Sequence, residues 1–471
     1  MISRQLLTSA RYHLAQYYLT KLKQADQATH RGRENSAHWL DVIQKDWEQI
    51  KQCQAWSASG AVADTERARL CASFLLAGMN ILRLRQNLQE THIWLQQALE
   101  AAHRIGDVEL VLTLLYHAGT LSLTLEEPDA GEQHALELLE RGRAVQSELA
   151  QGRAWQILGV ASFVRGEYDR SDACFQTSLA LLEACNAVDD HFKIWQSLAR
   201  LQQMRGNYQQ ANTYFMRYLD AATAMGSEQS IMDAHTSLSG ISLALREYEK
   251  AEAHAQEAVT MAGVYGITRL LPPAMLSLAH AQKWLGKYDS ACEYYEQAIA
   301  IARTVSVPST LINGLYGLGQ TRFLQENYKG ALLHLDEALG IARDAQLPLR
   351  FCEVAHDIVF AHVMCDELDA AQLRLQEALA SAIRLGTPHF LAKSLAAAII
   401  VWHQRGMVDR AAEWARLLAQ YRHNLHPSLY TTGVFDQFLS RLRTDSGRGK
   451  GQSGETQSLD DTVSEILASI S

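Results

Sequence analysis

Apolar residues recur at helical spacing through most of the chain, and from about Glu66 to His426 the pattern repeats every 40 residues. Its clearest instance is Trp155 to Ala180, where two amphipathic stretches meet at the turn Arg165-Gly166-Glu167-Tyr168. Tyr168 returns as Tyr208, Tyr248, Tyr288 and Tyr328, then as Leu368 and Val408. Three residues on sits a small residue: Ser171, Ala211, Ala251, Ala291, Ala331, Ala371 and Ala411. Ten residues on comes Ala258, Ala298, Ala338 or Ala378, with Ser178 and the bulky Tyr218 as exceptions. On the preceding stretch, Leu158, Leu198, Leu238, Leu278 and Leu318 share one position, each followed by Gly, Ala or Ser. Small residues permit close helix approach and the large ones fill the gaps beside them. Fixed-period self-similarity of this kind predicts a solenoid of helix pairs, turning near 166, 206, 246, 286, 326, 366 and 406.

Nine units of 40 fit between 67 and 426, the first two and last two degenerate, as the ends of an array are. Gly106, Asn186, Gly226, Gly266 and Gly386 close units at a residue type that accepts a left-handed helix end. Before the array, 1–66 reads as a helical cap. Met1 to about Lys23 forms one helix, with Leu6, Leu7, Leu14, Tyr17, Tyr18 and Leu22 for its buried side, and Gln24 to Asn35 reads as a loop. Ser36 can N-cap a second helix carrying Trp39, Leu40, Ile43, Trp47, Ile50 and Trp56 as core. After the array, 427–443 suits a capping helix with Leu429, Phe435, Phe438 and Leu442, and 444–457 a flexible linker. In 458–471, Leu459, Val463, Ile466, Leu467 and Ile470 form one apolar stripe, with Asp460, Asp461 and Glu465 toward the helix N-terminus. A helix this short is marginal alone, so the stripe needs a surface: a partner, or the solenoid itself.

The 471 residues exceed one ordinary core, a limit that repeats escape because each contacts only its neighbours. A formal charge of -9 gives no reason to expect nucleic acid. Seven scattered cysteines, with no CxxC, point to reduced thiols in a cytoplasmic setting. With no signal peptide and no apolar run of membrane-spanning length, the chain reads as soluble, without membrane association.

The motifs Trp155-Gln156-Ile157-Leu158-Gly159, Gly166-Glu167-Tyr168 and Phe175, with Gly286-Lys287-Tyr288, Ala291, Tyr295 and Ala298, resemble the tetratricopeptide repeat (TPR). The period of 40 is longer than the usual 34 of that family. Residues 5–106, with RYHLAQYYL, HWLDVIQKDWEQIKQCQAW and WLQQALEAAHRIGD, resemble the start of the TPR region of signal-transducing STAND ATPases. The nucleotide-binding half of those proteins is missing here, so no ATPase function carries over. The resemblance implies an all-α, right-handed TPR-like solenoid whose first helices line a concave groove. In that register Arg153, Gln156, Lys193, Gln196, Arg200 and Gln203 occupy the groove of the third and fourth repeats, Tyr116 that of the second, and Asn313, Tyr316, Gln320 and Phe323 that of the seventh. The first group is basic and amide-rich, which suits an acidic or extended peptide. The Lys and Asn pair that grips chaperone C-termini in some TPR proteins is found in no repeat.

Catalytic chemistry is sparse. No HExxH, GxSxG or complete P-loop occurs, and Gly447-Arg448-Gly449-Lys450-Gly451 lacks P-loop spacing. The histidines scatter: His356 and His362 do not align on a helix, and His423 and His426 lack companions, so no metal site or cofactor is expected, although a pH-sensing role stays open. The sequence thus favours a non-catalytic protein- or peptide-binding scaffold or sensor. The alternatives are a regulatory subunit or detached sensor of a STAND-like signalling or transcription-control system, and an enzyme with an unrecognised site. The acidic face of the tail would suit the basic surface around Arg153, Lys193 and Arg200.

Overall fold

The computed structural model describes residues 2–30, 36–61, 64–85, 88–125, 127–264, 271–305, 308–420 and 459–470. Within them all regular structure is α-helical and no strand occurs. The chain divides into two compact units, Met1–Ile267 and Thr268–Ser471.

The first unit opens with α1 (Ile2–His30) and α2 (Ser36–Gly60). Five helix pairs follow: α3 (Thr65–Arg85) with α4 (Leu88–Ile105), α5 (Val108–Thr124) with α6 (Pro128–Ala144), and α7 (Glu148–Val164) with α8 (Tyr168–Ala184). The remaining two are α9 (Val188–Met204) with α10 (Tyr208–Ala224), and α11 (Glu228–Ala244) with α12 (Tyr248–Val264). The second unit holds four pairs: α13 (Leu271–Trp284) with α14 (Tyr288–Val305), α15 (Pro308–Leu324) with α16 (Tyr328–Asp344), α17 (Pro348–Met364) with α18 (Leu368–Leu385), and α19 (Pro388–Gln404) with α20 (Val408–Gln420). A final helix, α21, runs from Leu459 to Ile470. Within each unit every helix packs on its successor in the array, and first helices of adjacent pairs also touch, as α5 does α7 and α17 does α19. This is a TPR-like α-solenoid.

The register read from the sequence has a direct structural cause. Each in-register tyrosine is the first residue of a second helix, and two of them are seen to pack their rings back on the first: Phe163 and Tyr168 lie 5.9 Å apart, Phe323 and Tyr328 5.2 Å. The small residues from Ser171 to Ala411 are all fully buried. A side chain added at Gly159 would stand 2.5 Å from the Phe175 ring, so that glycine is the space the ring occupies. The two serines at alanine positions are held by backbone across the pair: Ser171 Oγ donates to Gly159 O at 2.8 Å and Ser178 Oγ to Gly152 O at 2.6 Å.

The turns follow a beat of 20 residues. Left-handed φ occurs at 106, 146, 166, 186, 206, 226, 246, 286, 326, 346, 366, 386 and 406. The residue after it usually closes the helix end with a backbone bond five residues back, as Glu167 N–H does to Ser162 O at 2.9 Å. Glycine is the cheapest occupant, yet Gln146, Arg246, Glu326, Gln346 and Asp366 take the same conformation, at roughly 1–2 kcal/mol each, because the packing on both sides fixes it. Gly266 lies outside the described residues.

The N-terminal expectation needs correction. α1 continues to His30, so Gln24–His30 is helix rather than loop. Its buried face is Ala15, Leu19, Leu22 and Ala25, with Tyr18 half-buried. Leu6, Leu7, Leu14 and Tyr17 are exposed. The sequence offers two apolar faces on this helix, and α2 and α3 cover the one carrying more alanine. On α2, Ile43, Trp47 and Ile50 are buried, and Trp47 stacks on Trp94 at 5.7 Å; Trp39 and Trp56 are half-buried against the same core. The capping helix expected at 427–443, with Leu429, Phe435, Phe438 and Leu442, and the linker 444–457 lie outside the described residues.

The last helix packs on α18 and α19. Val463 and Ile466 are buried and Leu467 is partly buried against the core of the last two pairs. α19 is consequently enclosed on every side: Leu391 to Trp402 are all buried, an uninterrupted run that an amphipathic helix would not show. The side chains of Leu459 and Ile470 lie outside the described residues. Among the described residues no helix is long and apolar enough to cross a membrane.

Candidate partner-binding surface

First helices of successive pairs are joined side by side by polar side chains, and most of these links connect residues 36 or 37 apart. In the first unit, Tyr116 of α5 donates from its hydroxyl to Gln156 Oε1 of α7 at 3.2 Å. Arg153 of α7 directs Nε and Nη2 to Asp190 Oδ2 of α9, at 3.1 and 2.7 Å, and lies 4.9 Å from the Tyr116 ring. Gln196 of α9 donates to Asp233 of α11. Tyr116 and Gln156 are buried, and Asp190 is 4% exposed. Burial, with the Asp190 charge nearby, pushes the Tyr116 phenol above its ordinary pKa. Beside them, burial first, then Arg153 and Lys193, lowers His117 to about 4 against the opposing pull of Asp190. The imidazole is therefore neutral at physiological pH.

Of the six residues read as groove on α7 and α9, then, Arg153, Gln156 and Gln196 are tied to neighbouring helices. Lys193, Arg200 and Gln203 are exposed. Lys193 Nζ lies 6.0 Å from the ring of Phe192, which itself stacks on Tyr218 at 5.5 Å and 4°. Tyr218, a bulky residue at a small-residue position, is thus the partner of an aromatic on the neighbouring first helix.

In the second unit the same arrangement is longer and more charged. Lys283 Nζ of α13 donates to Gln320 Oε1 of α15 at 2.7 Å, and Gln320 Nε2 donates to Asp357 Oδ2 of α17 at 2.9 Å. Lys393 of α19 pairs with Asp357 Oδ1 at 2.9 Å and donates to Glu353 O at 3.2 Å. Tyr316 bonds Asp357 as well, and Arg350 pairs with Glu353 at 2.9 Å. Burial alone would raise the Asp357 carboxyl, but Lys393 and the bonds from Gln320, Lys393 and Tyr316 outweigh it and hold its pKa low. Burial, then Asp357 and Glu353, pushes the Tyr316 phenol far up. Burial lowers Lys283 to about 8, although Asp357 and Glu353 oppose the fall.

Gln320 and Asp357 also line a solvent-open cleft, together with Trp284, Phe323, Leu324, Leu335 and Phe360. Phe323 is buried at this cleft, and Asn313 is half-buried one turn before Tyr316. Gln320, Tyr316 and Phe323 are therefore brought together. Lys283, Trp284, Asp357 and Lys393, which complete the cluster, were not expected, and neither were Asp190 and Asp233.

Histidines His235 and His254 approach at 3.1 Å between Nδ1 atoms, and His356 is enclosed by Cys352 O and Ser394 Oγ. Among the described residues no three His, Cys, Asp or Glu side chains are grouped to hold a metal ion.

Comparison with known proteins adds the following. Residues 271–344 match the family model of the tetratricopeptide repeat, and residues 198–264 that of anaphase-promoting complex subunit 5. No curated protein matches in sequence. Among solved structures, the chain is similar to a signal transduction ATPase with numerous domains (STAND) from Pyrococcus horikoshii that carries a TPR sensor, at 13% identity and a TM-score of 0.57. That match covers 79% of this chain and 55% of the other, so the chain spans about half the length of the STAND protein. It is also similar to the apo form of the quorum sensor NprR from B. thuringiensis, at 11% identity and a TM-score of 0.55, covering 73% of this chain and 98% of that one. A Rap protein complexed with competence and sporulation factor matches at 13% identity and a TM-score of 0.51, covering 81% and 99%. At such identities the likeness is one of fold.

Proposed function

We propose that this TPR-like α-solenoid is a non-catalytic scaffold or sensor that binds a protein or extended peptide on its first helices. The observation that carries the reading is on α9, where Lys193, Arg200 and Gln203 stay exposed while Arg153, Gln156 and Gln196 beside them are held by neighbouring helices. The held residues fix the helices, and the exposed ones place two cations and an amide at the surface of α9. Two cations and an amide favour an acidic segment in extended form, whose backbone an amide can bond. The Rap relative, a similar fold, was solved with competence and sporulation factor bound, which is in keeping with this reading.

A second reading is favoured by the STAND relative, in which a TPR sensor belongs to a larger signalling ATPase. In that reading the present chain acts as a sensor for a partner that carries the catalytic domain.

The test is selection from a displayed library of random dodecapeptides against the wild-type chain and against a Lys193→Glu/Arg200→Glu variant. Acidic sequences enriched by the wild type and lost by the variant are the expected result. Equal selection by both proteins would remove α9 from the function.

A further inference from the structure

Lys283 is a buried cation whose partners are both uncharged. It is 5% exposed, its Nζ is bonded to the amide oxygen of Gln320, and it lies 5.4 Å from the Trp284 ring. Among the described residues no carboxylate stands within ion-pair distance of it. The nearest carboxylates are already engaged: Asp357 by Lys393, Gln320 and Tyr316, and Glu353 by Arg350. Three cations, Lys283, Lys393 and Arg350, thus face two anions, Asp357 and Glu353. His280, the remaining titratable neighbour on α13, is neutral: burial, with Lys283 and Arg350 nearby, lowers it to about 3. A buried ammonium without a counter-ion is costly to keep, and an apolar side chain of similar size would cost less. Asp357 and Glu353 favour the charge from beyond ion-pair distance, so a direct counter-ion is to be sought in a ligand.

Gln320, which accepts the Lys283 bond, lines the cleft together with Trp284, Phe323 and Phe360. We infer that Lys283 receives a carboxylate of a bound peptide, with the adjacent aromatic or large aliphatic side chain lying against Trp284, Phe323 and Phe360. The carboxylate takes the acceptor position now held by Gln320 Oε1, exchanging a neutral acceptor for an ionic one; charge-assisted bonds are about twice as strong. Trp284, Phe323 and Phe360 line the cleft and offer aromatic surface to the neighbouring side chain. This inference rests on the peptide-binding reading and names the ligand chemistry of the second unit. The carboxylate can be the peptide's C-terminus or an Asp or Glu side chain.

The experiment measures fluorescence anisotropy of fluorescein-labelled hexapeptide pools on the full chain. One pool ends in Phe-Asp with a free C-terminus, a second is its amide, a third ends in Phe-Asn with a free C-terminus, and a fourth ends in Phe-Asn-amide and has no carboxylate. The proteins are wild type, Lys283→Met, Lys283→Arg and Lys193→Glu. Lys283→Met removes the buried charge at similar side-chain volume, and Lys283→Arg keeps the charge. The first pool should bind wild type and Lys283→Arg, bind Lys283→Met about 10- to 100-fold more weakly, and be unaffected by Lys193→Glu. The two single-carboxylate pools assign the source of the anion, since the one that retains affinity carries the recognised group. Equal binding of the first pool to wild type and Lys283→Met overturns the role of Lys283 and leaves peptide binding standing. Equal binding of the carboxylate-free pool does the same. Failure of every pool on wild type, together with failure of the dodecapeptide selection, overturns both readings.

Discussion

Arg153 closes on Asp190 with two N–H donors across neighbouring first helices, and this pair decides how much positive charge the α7–α9 surface presents. Asp190 is almost wholly buried and Arg153 one-quarter exposed, so the guanidinium is half spent on structure. Asp190→Asn should cost about 1.5–3 kcal/mol by weakening two charge-assisted bonds. The same change frees a cation beside Lys193. Chemical denaturation should therefore show lower stability while affinity for an acidic peptide rises. A loss of both would mean that the pair positions the site rather than masking it.

Much of the fold is written in the 40-residue columns, because each column is one position in a packed helix pair. Tyr168 and its equivalents start second helices, and Ser171 through Ala411 are the contact points between helices. The links between pairs are less visible because adjacent first helices are staggered by about one turn. Residue i then meets i+36 or i+37, as Arg153 meets Asp190 and Gln320 meets Asp357, so a reading in columns of 40 passes over the partner. Reading the sequence at an offset of 37 would have found Asp190, Asp233 and Asp357. The charged cluster at Lys283 has a different obstacle: a lysine near the end of an amphipathic helix reads as solvent-facing until the next three first helices are laid beside it. On α1 the error was one of face, since an alanine-rich side and a leucine-rich side compete and only the neighbouring helices decide.

Lys283 gives a pH signature. Its pKa falls from 10.5 to about 8 on folding, with Asp357, Glu353, Lys393, Arg350, His280 and Tyr316 in the same cluster. The unfolded chain therefore binds more protons between those values, and this residue's contribution to stability improves as pH rises from 8 to 10.5. The full effect is about 3 kcal/mol. Denaturation of wild type and Lys283→Met as a function of pH should show the variant more stable below pH 8 and the advantage shrinking above it. A constant difference would place the charge in solvent.

His356 sets an acid limit on the second unit. It is fully buried; its Nδ1–H donates to Cys352 O at 2.5 Å, and its Nε2 accepts from Ser394 Oγ at 2.6 Å. Burial, with Lys393 nearby, lowers its pKa to about 3. Between pH 6.5 and 3 the unfolded chain holds the extra proton, so stability is lost as pH falls through that range. At pH 5 the loss is about 2 kcal/mol. His356→Gln should flatten the slope of stability against pH in this window. An unchanged slope would assign acid sensitivity to other groups.

The final helix should hold the end of the second unit. Burying Val463 and Ile466 contributes roughly 1.5–3 kcal/mol each. Deleting 459–470 should raise hydrogen exchange in α18 and α19, which lose their cover, and leave α5–α11 in the first unit unchanged. Val463→Asp should do the same, because a carboxylate cannot stay in that contact without a partner. Unaltered exchange in α18 and α19 would show that the helix contributes nothing to their protection.

The most direct measurement is hydrogen exchange of the full chain with and without a peptide recovered from the library selection. The account predicts added protection in the first helices, centred on α7, α9 and α11 for acidic sequences, with α8 and α10 unchanged. Protection confined to second helices would contradict it.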